Sequence, residues 1–277
     1  MDIVQAENLF VQRMYSKNLS QSTVKNYASQ LRLFLRCFEK RDRARNITAN
    51  EIEQYLLSKV EINTRKHARC AIQLFYKIVV QQPMKLDHVP WPKKEQKLIE
   101  YVTAEEVQKI LSVCSNLKHK TIIVLTFSCG LRISEVLNLR AENIDSTRML
   151  INIVQAKGNK DRQVQLPEEL LKLLRLYWKE YKPQRGYLFE GQFEPKYSER
   201  SINQFLKKYA KLAGIKRNIH CHLLRHGFAT ESLEMGTDIR LIQKLLGHNS
   251  IKTTLRYTHV SSNLIAKTPS PISLLKI

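Results

Sequence analysis

An amphipathic helical rhythm runs through most of this sequence and lapses for twenty residues, from Gln81 to Glu100, where QQPMKLDHVPWPKKEQKLIE carries three prolines and a lysine cluster. Proline cannot continue a helix and cannot donate to a sheet, so the stretch reads as a linker. At 277 residues the chain also exceeds a typical domain of ~100–200 residues. Two units follow: a helical domain over 1–82, a linker over 83–100 and a second domain over 101–260, leaving a tail of 261–277.

In the first unit Val24, Tyr27, Leu31, Phe34, Leu35 and Phe38 recur at helical spacing behind a possible cap at Ser22. Thr48 and Glu51 form a capping box, with Ile47 and Ile52 at the staple positions beside it. Ala68, Ala71, Ile72, Phe75, Ile78 and Val79 make a further apolar stripe flanked by Arg65, Lys66 and Arg69. That basic flank is either a solvated surface or a grip on an anionic partner. Only 8 glycines in 277 residues leave little backbone for many tight hairpins, so a mainly α fold is expected.

The second unit opens with a capping box at Thr103 and Glu106, followed by Val107, Ile110, Leu111 and Cys114 in helical register. A buried helix then runs to Gly130. Two β-type runs, Leu150–Val154 and Gln163–Leu166, bracket a basic turn containing Gly158 and Asn159, which predicts a small antiparallel hairpin. Leu170, Leu173, Leu174, Tyr177, Trp178 and Tyr181 restore the helical period, as do Ile202, Phe205, Leu206 and Tyr209 before Gly214. Two shorter helices end at Gly236 and Gly247.

Forty-six basic residues against twenty-five acidic ones give a formal charge of +21, with +9 on residues 1–99 and +12 on the remainder. Both units therefore suit the same polyanion, and nucleic acid leads the candidates. Apolar residues at 43% and charged ones at 26% exclude wholesale disorder. The five cysteines are scattered and form no Cys-x-x-Cys pair, which fits a reducing cytoplasm better than a disulfide framework. Neither a signal peptide nor a membrane-spanning run is expected, since the longest strongly apolar stretch is Thr121 to Leu131.

Four patterns in the second unit carry chemistry: Gly130-Leu131-Arg132-Ile133-Ser134-Glu135; Lys157 in the hairpin; His222-Leu223-Leu224-Arg225-His226; and Leu246-Gly247-His248 followed by Tyr257-Thr258-His259. Together, and in this order, they resemble the tyrosine recombinases, the phage-integrase and Xer-like enzymes, over residues 100 to 260. The resemblance implies a helical core-binding domain joined to a mostly α catalytic domain with a small antiparallel sheet. It also implies strand cleavage and rejoining through a 3′-phosphotyrosine, which conserves the phosphodiester energy and needs no metal, nucleotide or other cofactor. No Gly-rich phosphate loop is present in the sequence.

Metal-free displacement at a phosphodiester needs a nucleophile, cations on the non-bridging oxygens and an acid for the departing oxygen. Arg132 and Arg225 would be the forks on phosphate. His222 lies three residues before Arg225 and so shares its helical face. His220, His222 and His226 could also suggest a metal, but no nearby Glu or cysteine set completes one. His248 would donate to a phosphate oxygen from the chain reversal after Gly247. Tyr257 would be the nucleophile: Tyr209 and Tyr181 belong to clean apolar stripes, whereas Tyr257 falls on a short polar run, Ser250 to His259, with few apolar neighbours. Lys157 resembles the family's hairpin general acid, with Lys160 as the alternative, and Glu135 resembles its orienting carboxylate. Arg65, Lys66, Arg69, Lys160 and Arg162 are candidate DNA contacts.

The expected partner is double-stranded DNA with inverted-repeat core sites, bound by a dimer and synapsed by a tetramer. The tail, with Ile272, Leu274, Leu275 and Ile277, would dock on a neighbouring subunit or fold back on its own domain. Two other readings share parts of this pattern: a topoisomerase-like nicking and closing enzyme, and a non-catalytic DNA-binding regulator.

Overall fold

Among the described residues the amino-terminal unit is built on the α-helices α1 (Ile3–Ser16), α2 (Gln21–Arg36), α3 (Ala49–Leu57) and α4 (Ile62–Phe75), the last continued by a wider turn over Tyr76–Val80. They appear in a computed structural model that describes residues 3–39, 43–91, 99–154 and 161–258. The apolar stripes read from the sequence meet in one core, where Phe10, Met14, Leu31, Phe34, Ile52, Phe75 and Tyr76 are almost completely buried. The capping box at α3 is formed, with Thr48 accepting from the Glu51 backbone while Glu51 reaches back to Thr48 N at 2.8 Å. At α2 the cap is Ser20, not Ser22. Its extended backbone places Oγ against Thr23 N, and Ser22 already lies inside the first helical turn.

The chain divides into two compact units, Met1–Gln96 and Lys97–Ile277. The segment expected as a linker begins as part of the first unit: Pro83–Leu86 forms a single tight turn, and Leu86 and Val89 are buried in the amino-terminal core. This packing also corrects the reading of Arg69 as a surface contact. Arg69 is only 3% exposed, donates to the Leu86 carbonyl at 3.1 Å and lies 4.4 Å over the Trp91 ring.

The second unit starts with α5 (Ala104–Ser112) behind the Thr103–Glu106 capping box, then α6 (Leu117–Cys129) and the short α7 (Ile133–Asn138). Gly130 ends α6 at φ 61°, and an added Cβ would stand 2.3 Å from the Phe228 ring. Only glycine meets both demands, so the chain can turn sharply into α7. A three-stranded antiparallel sheet follows, β1 (Ile144–Asp145), β2 (Leu150–Ile153) and β3 (Arg162–Gln165), with Ile151 opposite Val164. The β2–β3 hairpin is the one the sequence predicts; β1, two residues long, carried no alternating signal.

Helices α8 (Glu168–Tyr181), α9 (Glu199–Leu212), α10 (Cys221–Glu234), α11 (Ile239–Leu246) and α12 (Ile251–Thr254) follow among the described residues. The α8 stripe buries Leu171 and leaves Trp178 at 43% exposure, which corrects Trp178 as a core position. Helix α10 runs through the centre, buried among α6 and its neighbours. At Gly227 it approaches the chain so closely that a Cβ would sit 2.3 Å from the Val102 carbonyl. The fold is mainly α with one small antiparallel sheet, and no described helix is long and apolar enough to cross a membrane.

Candidate active site

Arg132 is the first fixed point of the site. The Gly130 turn leaves it as the N-cap of α7, with an extended backbone whose N–H donates to Glu135 Oε2 at 2.7 Å. Its guanidinium also reaches that carboxylate, Nη1 to Oε1 at 2.8 Å. Glu135 is 8% exposed and is held from the other side by Arg162, whose Nη1 and Nη2 each bond one oxygen at 2.7 Å. Arg225 adds a third cation 3.8 Å away. Burial alone would raise the Glu135 pKa, but the Arg162 fork and the Arg132 bonds outweigh it and hold the carboxyl at about 2. Arg162 was expected to touch DNA. With its side chain 7% exposed and committed to Glu135, it is instead a bracket for the carboxylate.

The same three arginines converge on the carboxyl end of α11. Arg162 Nε donates to the Leu245 carbonyl at 2.7 Å, Arg225 Nη2 to Leu246 at 2.6 Å and Arg132 Nη2 to Gly247 at 2.9 Å. The last carbonyls of a helix lack intrahelical partners and carry its negative dipole end, so guanidinium donors suit them on both counts. Side chains from α7, β3 and α10 are thereby tied to one helix end, and His248 leaves it on the next residue. Arg225 is 1% exposed and donates also to the Gly130 carbonyl at 2.8 Å. Burial, followed by repulsion from Arg132, lowers its pKa to about 10, still charged at neutral pH.

The histidines and Tyr257 close the site. His248 Nδ1 pairs with Thr254 Oγ1 at 3.0 Å, turning Nε2 towards Arg225 Nη2 at 3.3 Å, and its ring stacks 6.4 Å from the Tyr257 ring. The Tyr257 hydroxyl pairs with His226 Nδ1 at 2.8 Å. His222 stands edge-on to His226 with ring centroids 4.3 Å apart, and its side chain is exposed. Burial and the surrounding arginines lower the pKa of His248 to about 4 and of His226 to about 3, so both rings are neutral at pH 7. Burial raises the Tyr257 phenol, and Arg225, Arg256 and Arg132 oppose that rise.

Tyr257 is not poor in apolar neighbours, as its local sequence suggested. It is 3% exposed and packs with Ile99, Ala229, Leu233, Ile242 and Leu246. The run from Ser250 is a four-residue helix, Ile251–Thr254, followed by a tight turn at Leu255–Tyr257 that swings the ring under α10 and α11. Its neighbours are apolar because they come from other helices.

The structure thus gathers Arg132, Glu135, Arg162, Arg225, His222, His248 and Tyr257 into one site. Lys157, Lys160 and the tail 261–277 lie outside the described residues. Arg65 in the first unit donates to the Lys59 carbonyl at 2.8 Å, and Lys66 is half-buried. Sequence reasoning missed His226 as the partner of Tyr257 and Thr254 as the partner of His248. The adjacency of His226 to Arg225 was the available signal for the first; nothing local marked the second.

A model described as "Phage integrase family" matches residues 100–263, more than half of the chain. The chain belongs to the phage integrase family. A second model of the group, "Phage integrase, N-terminal SAM-like domain", matches this integrase-family chain over residues 8–86. A tyrosine recombinase of Pseudothermotoga lettingae is 32% identical over 261 residues, covering 89% of this chain and 90% of that one. Tyrosine recombinase XerA of Pyrococcus horikoshii is 39% identical over 174 residues, 62% of this chain and 60% of the relative. The fold matches that of XerH site-specific recombinase in a post-cleavage complex with its palindromic difH substrate, at a TM-score of 0.76 and 22% identity over 91% of this chain and 80% of that one. This integrase-family member is a tyrosine-type site-specific recombinase, a DNA strand transferase. Its relatives do not favour the nicking-closing or the non-catalytic reading.

Proposed function

We propose that Tyr257 is the nucleophile of this recombinase and that Arg132 and Arg225 grip the non-bridging oxygens of the scissile phosphate. One observation carries the reading. Three guanidiniums face a single carboxylate beside a buried tyrosine hydroxyl, so the site holds an excess of positive charge that a phosphodiester would neutralise. Each guanidinium has five N–H donors in one plane, and anchoring to α11 and Glu135 fixes the plane while leaving donors for phosphate. The Tyr257 oxygen bonds to phosphorus and the bond to the 5′ oxygen breaks, leaving a 3′-phosphotyrosine. Lys157, or Lys160 beside it, supplies the proton to the departing oxygen, and His222 and His248 donate to the phosphate. Glu135 and Arg162 hold the arginines in place.

The partner in this reading is duplex DNA with inverted-repeat core sites. The amino-terminal unit clamps it through its +9 charge, with Arg65 and Lys66 among the contacts. Two protomers occupy a site and four form the synapse, with the tail docking between neighbours. All five cysteines are unpaired, in keeping with action in the cytoplasm.

The test is capture of a protein–DNA adduct on a nicked suicide duplex carrying inverted repeats taken from DNA flanking the gene. Wild-type protein should give the adduct on a denaturing gel. Tyr257→Phe, which removes one oxygen and keeps the ring, should bind the duplex and give none. An adduct from Tyr257→Phe would place the nucleophile elsewhere.

A further inference from the structure

The Tyr257 hydroxyl must lose its proton as its oxygen attacks, and few of the described side chains could accept it; His222 meets the His226 ring, 4.3 Å between centroids, and makes no hydrogen bond to Tyr257. Arginines cannot accept one. The Glu135 carboxylate has both oxygens engaged by Arg132 and Arg162. His248 Nδ1 is occupied by Thr254, and its Nε2 faces Arg225. His226 Nδ1, by contrast, lies 2.8 Å from the phenolic oxygen itself. We propose that His226 is the general base that takes the Tyr257 proton during attack. The proposal rests on Tyr257 being the nucleophile.

The geometry supports a specific tautomer. A phenol is the stronger donor of the pair, so Tyr257 Oη–H donates to a bare Nδ1 and the ring proton sits on Nε2. In the step, the O–H bond breaks and its proton passes to Nδ1 while the oxygen pair forms the bond to phosphorus. The P–O5′ bond breaks and the 5′ oxygen takes its proton from the separate acid on the hairpin. On religation the 5′ hydroxyl attacks phosphorus and gives its proton back to the hairpin group that supplied it, the bond from phosphorus to the tyrosine oxygen breaks, and the imidazolium returns the proton to the released tyrosine.

His226 follows Arg225 directly on α10, so the base and the phosphate clamp sit on the same helical turn. The charged and titratable groups facing it are His220 at the N-cap of α10, His222 and Arg225 on that helix, and Arg256 and Tyr257 from the turn beyond α12. In the free protein, burial and this cationic company make His226 a poor base, with a pKa of about 3. A phosphodiester between Arg132 and Arg225 would bring a negative charge into the cluster and raise its basicity. Proton transfer is thereby coupled to substrate: without DNA the tyrosine stays a phenol, latched to a neutral imidazole.

The experiment is the pH profile of single-turnover adduct formation on the suicide duplex for wild type and His226→Asn. The Asn Oδ1 can occupy roughly the place of Nδ1 and keep the hydrogen bond, but it is not a base. Cleavage by the variant should be roughly 100-fold slower at pH 7 and should recover by about tenfold per pH unit towards pH 9, as hydroxide ionises Tyr257 directly. Wild type should be nearly level over the same range. A wild-type rate in the variant, or a loss of equal size at every pH, would overturn the proposal. Imidazole 15N NMR of the wild-type protein gives an independent answer should the variant misfold: a bare Nδ1 is required, and a protonated one refutes it. Tyr257→Phe serves as the control. An adduct from it sinks the nucleophile reading, whereas no adduct from it with an unimpaired His226→Asn sinks the base alone.

Discussion

Replacing Glu135 by Gln removes one charge from the centre of the site with almost no change of shape. The amide oxygen can still accept the Arg132 N–H that caps α7, but three guanidiniums then share a buried site without a counter-ion. Two routes give the size of the loss. Breaking a buried ion pair by removing one partner costs ~3–5 kcal/mol. Independently, holding the carboxyl at about 2 against an ordinary 4.5 corresponds to about 3 kcal/mol, at ~1.4 kcal/mol per pH unit. A loss of about 3 kcal/mol lowers the melting temperature of a domain this size by roughly 6–12 °C. Calorimetry should show this in the transition of the second unit, to which Glu135 and its partners Arg132, Arg162 and Arg225 all belong. Acid provides a second check. The unfolded carboxyl takes up its proton near pH 4.5 and the folded one only near 2, so the wild-type advantage is complete above pH 4.5 and fades as pH falls towards 2. The difference in urea midpoint between wild type and Glu135→Gln should therefore shrink between pH 6 and pH 3. A melting temperature within about 2 °C of wild type, or a pH-independent difference, would refute the view of Glu135 as the counter-ion that holds the cluster together.

Gly130→Ala should destabilise the second unit by ~2–4 kcal/mol, read as a lower urea midpoint, since it forces a left-handed backbone on alanine and a Cβ into Phe228. A cost under about 1 kcal/mol would mean that Phe228 swings away freely. Thr254→Val keeps the shape but leaves His248 Nδ1 without its partner, so single-turnover cleavage should fall about five- to tenfold with duplex binding unchanged. Thr254→Ser should restore the rate, and a Val variant as fast as wild type would remove Thr254 from the site's support.

The fold was legible in the sequence wherever a signal was local. Capping boxes at Thr48 and Thr103 and the glycine at 247 describe single helix ends, and each was found in place. Ser22 was misplaced because Ser20, Ser22 and Thr23 all offer cap oxygens, and only the path of the chain selects Ser20. Trp178 was misplaced because an amphipathic stripe has two edges, and packing against α6 chose the one holding Leu171.

At the site, the sequence showed which residue types were present but not how charge was divided among them. Arg132, Arg162 and Arg225 are equally basic as letters, and Arg162 next to a lysine-bearing turn reads as another surface cation. Its task is set by residues 27 and 83 positions away, at Glu135 and Leu245. The same holds for Tyr257, polar in its own segment and buried by α10 and α11. These long-range ties also account for the arrangement as a whole. A carbonyl row at a helix end offers fixed acceptors about one residue apart, so three guanidiniums bound to it are spaced by backbone geometry and not by flexible side chains. One helix terminus thus sets the positions of the two guanidiniums proposed to grip the phosphate and, through the next residue, of His248. A shift of α11 would move all three together, so in the proposed mechanism catalytic alignment is governed by a helix end that itself contributes no reacting group.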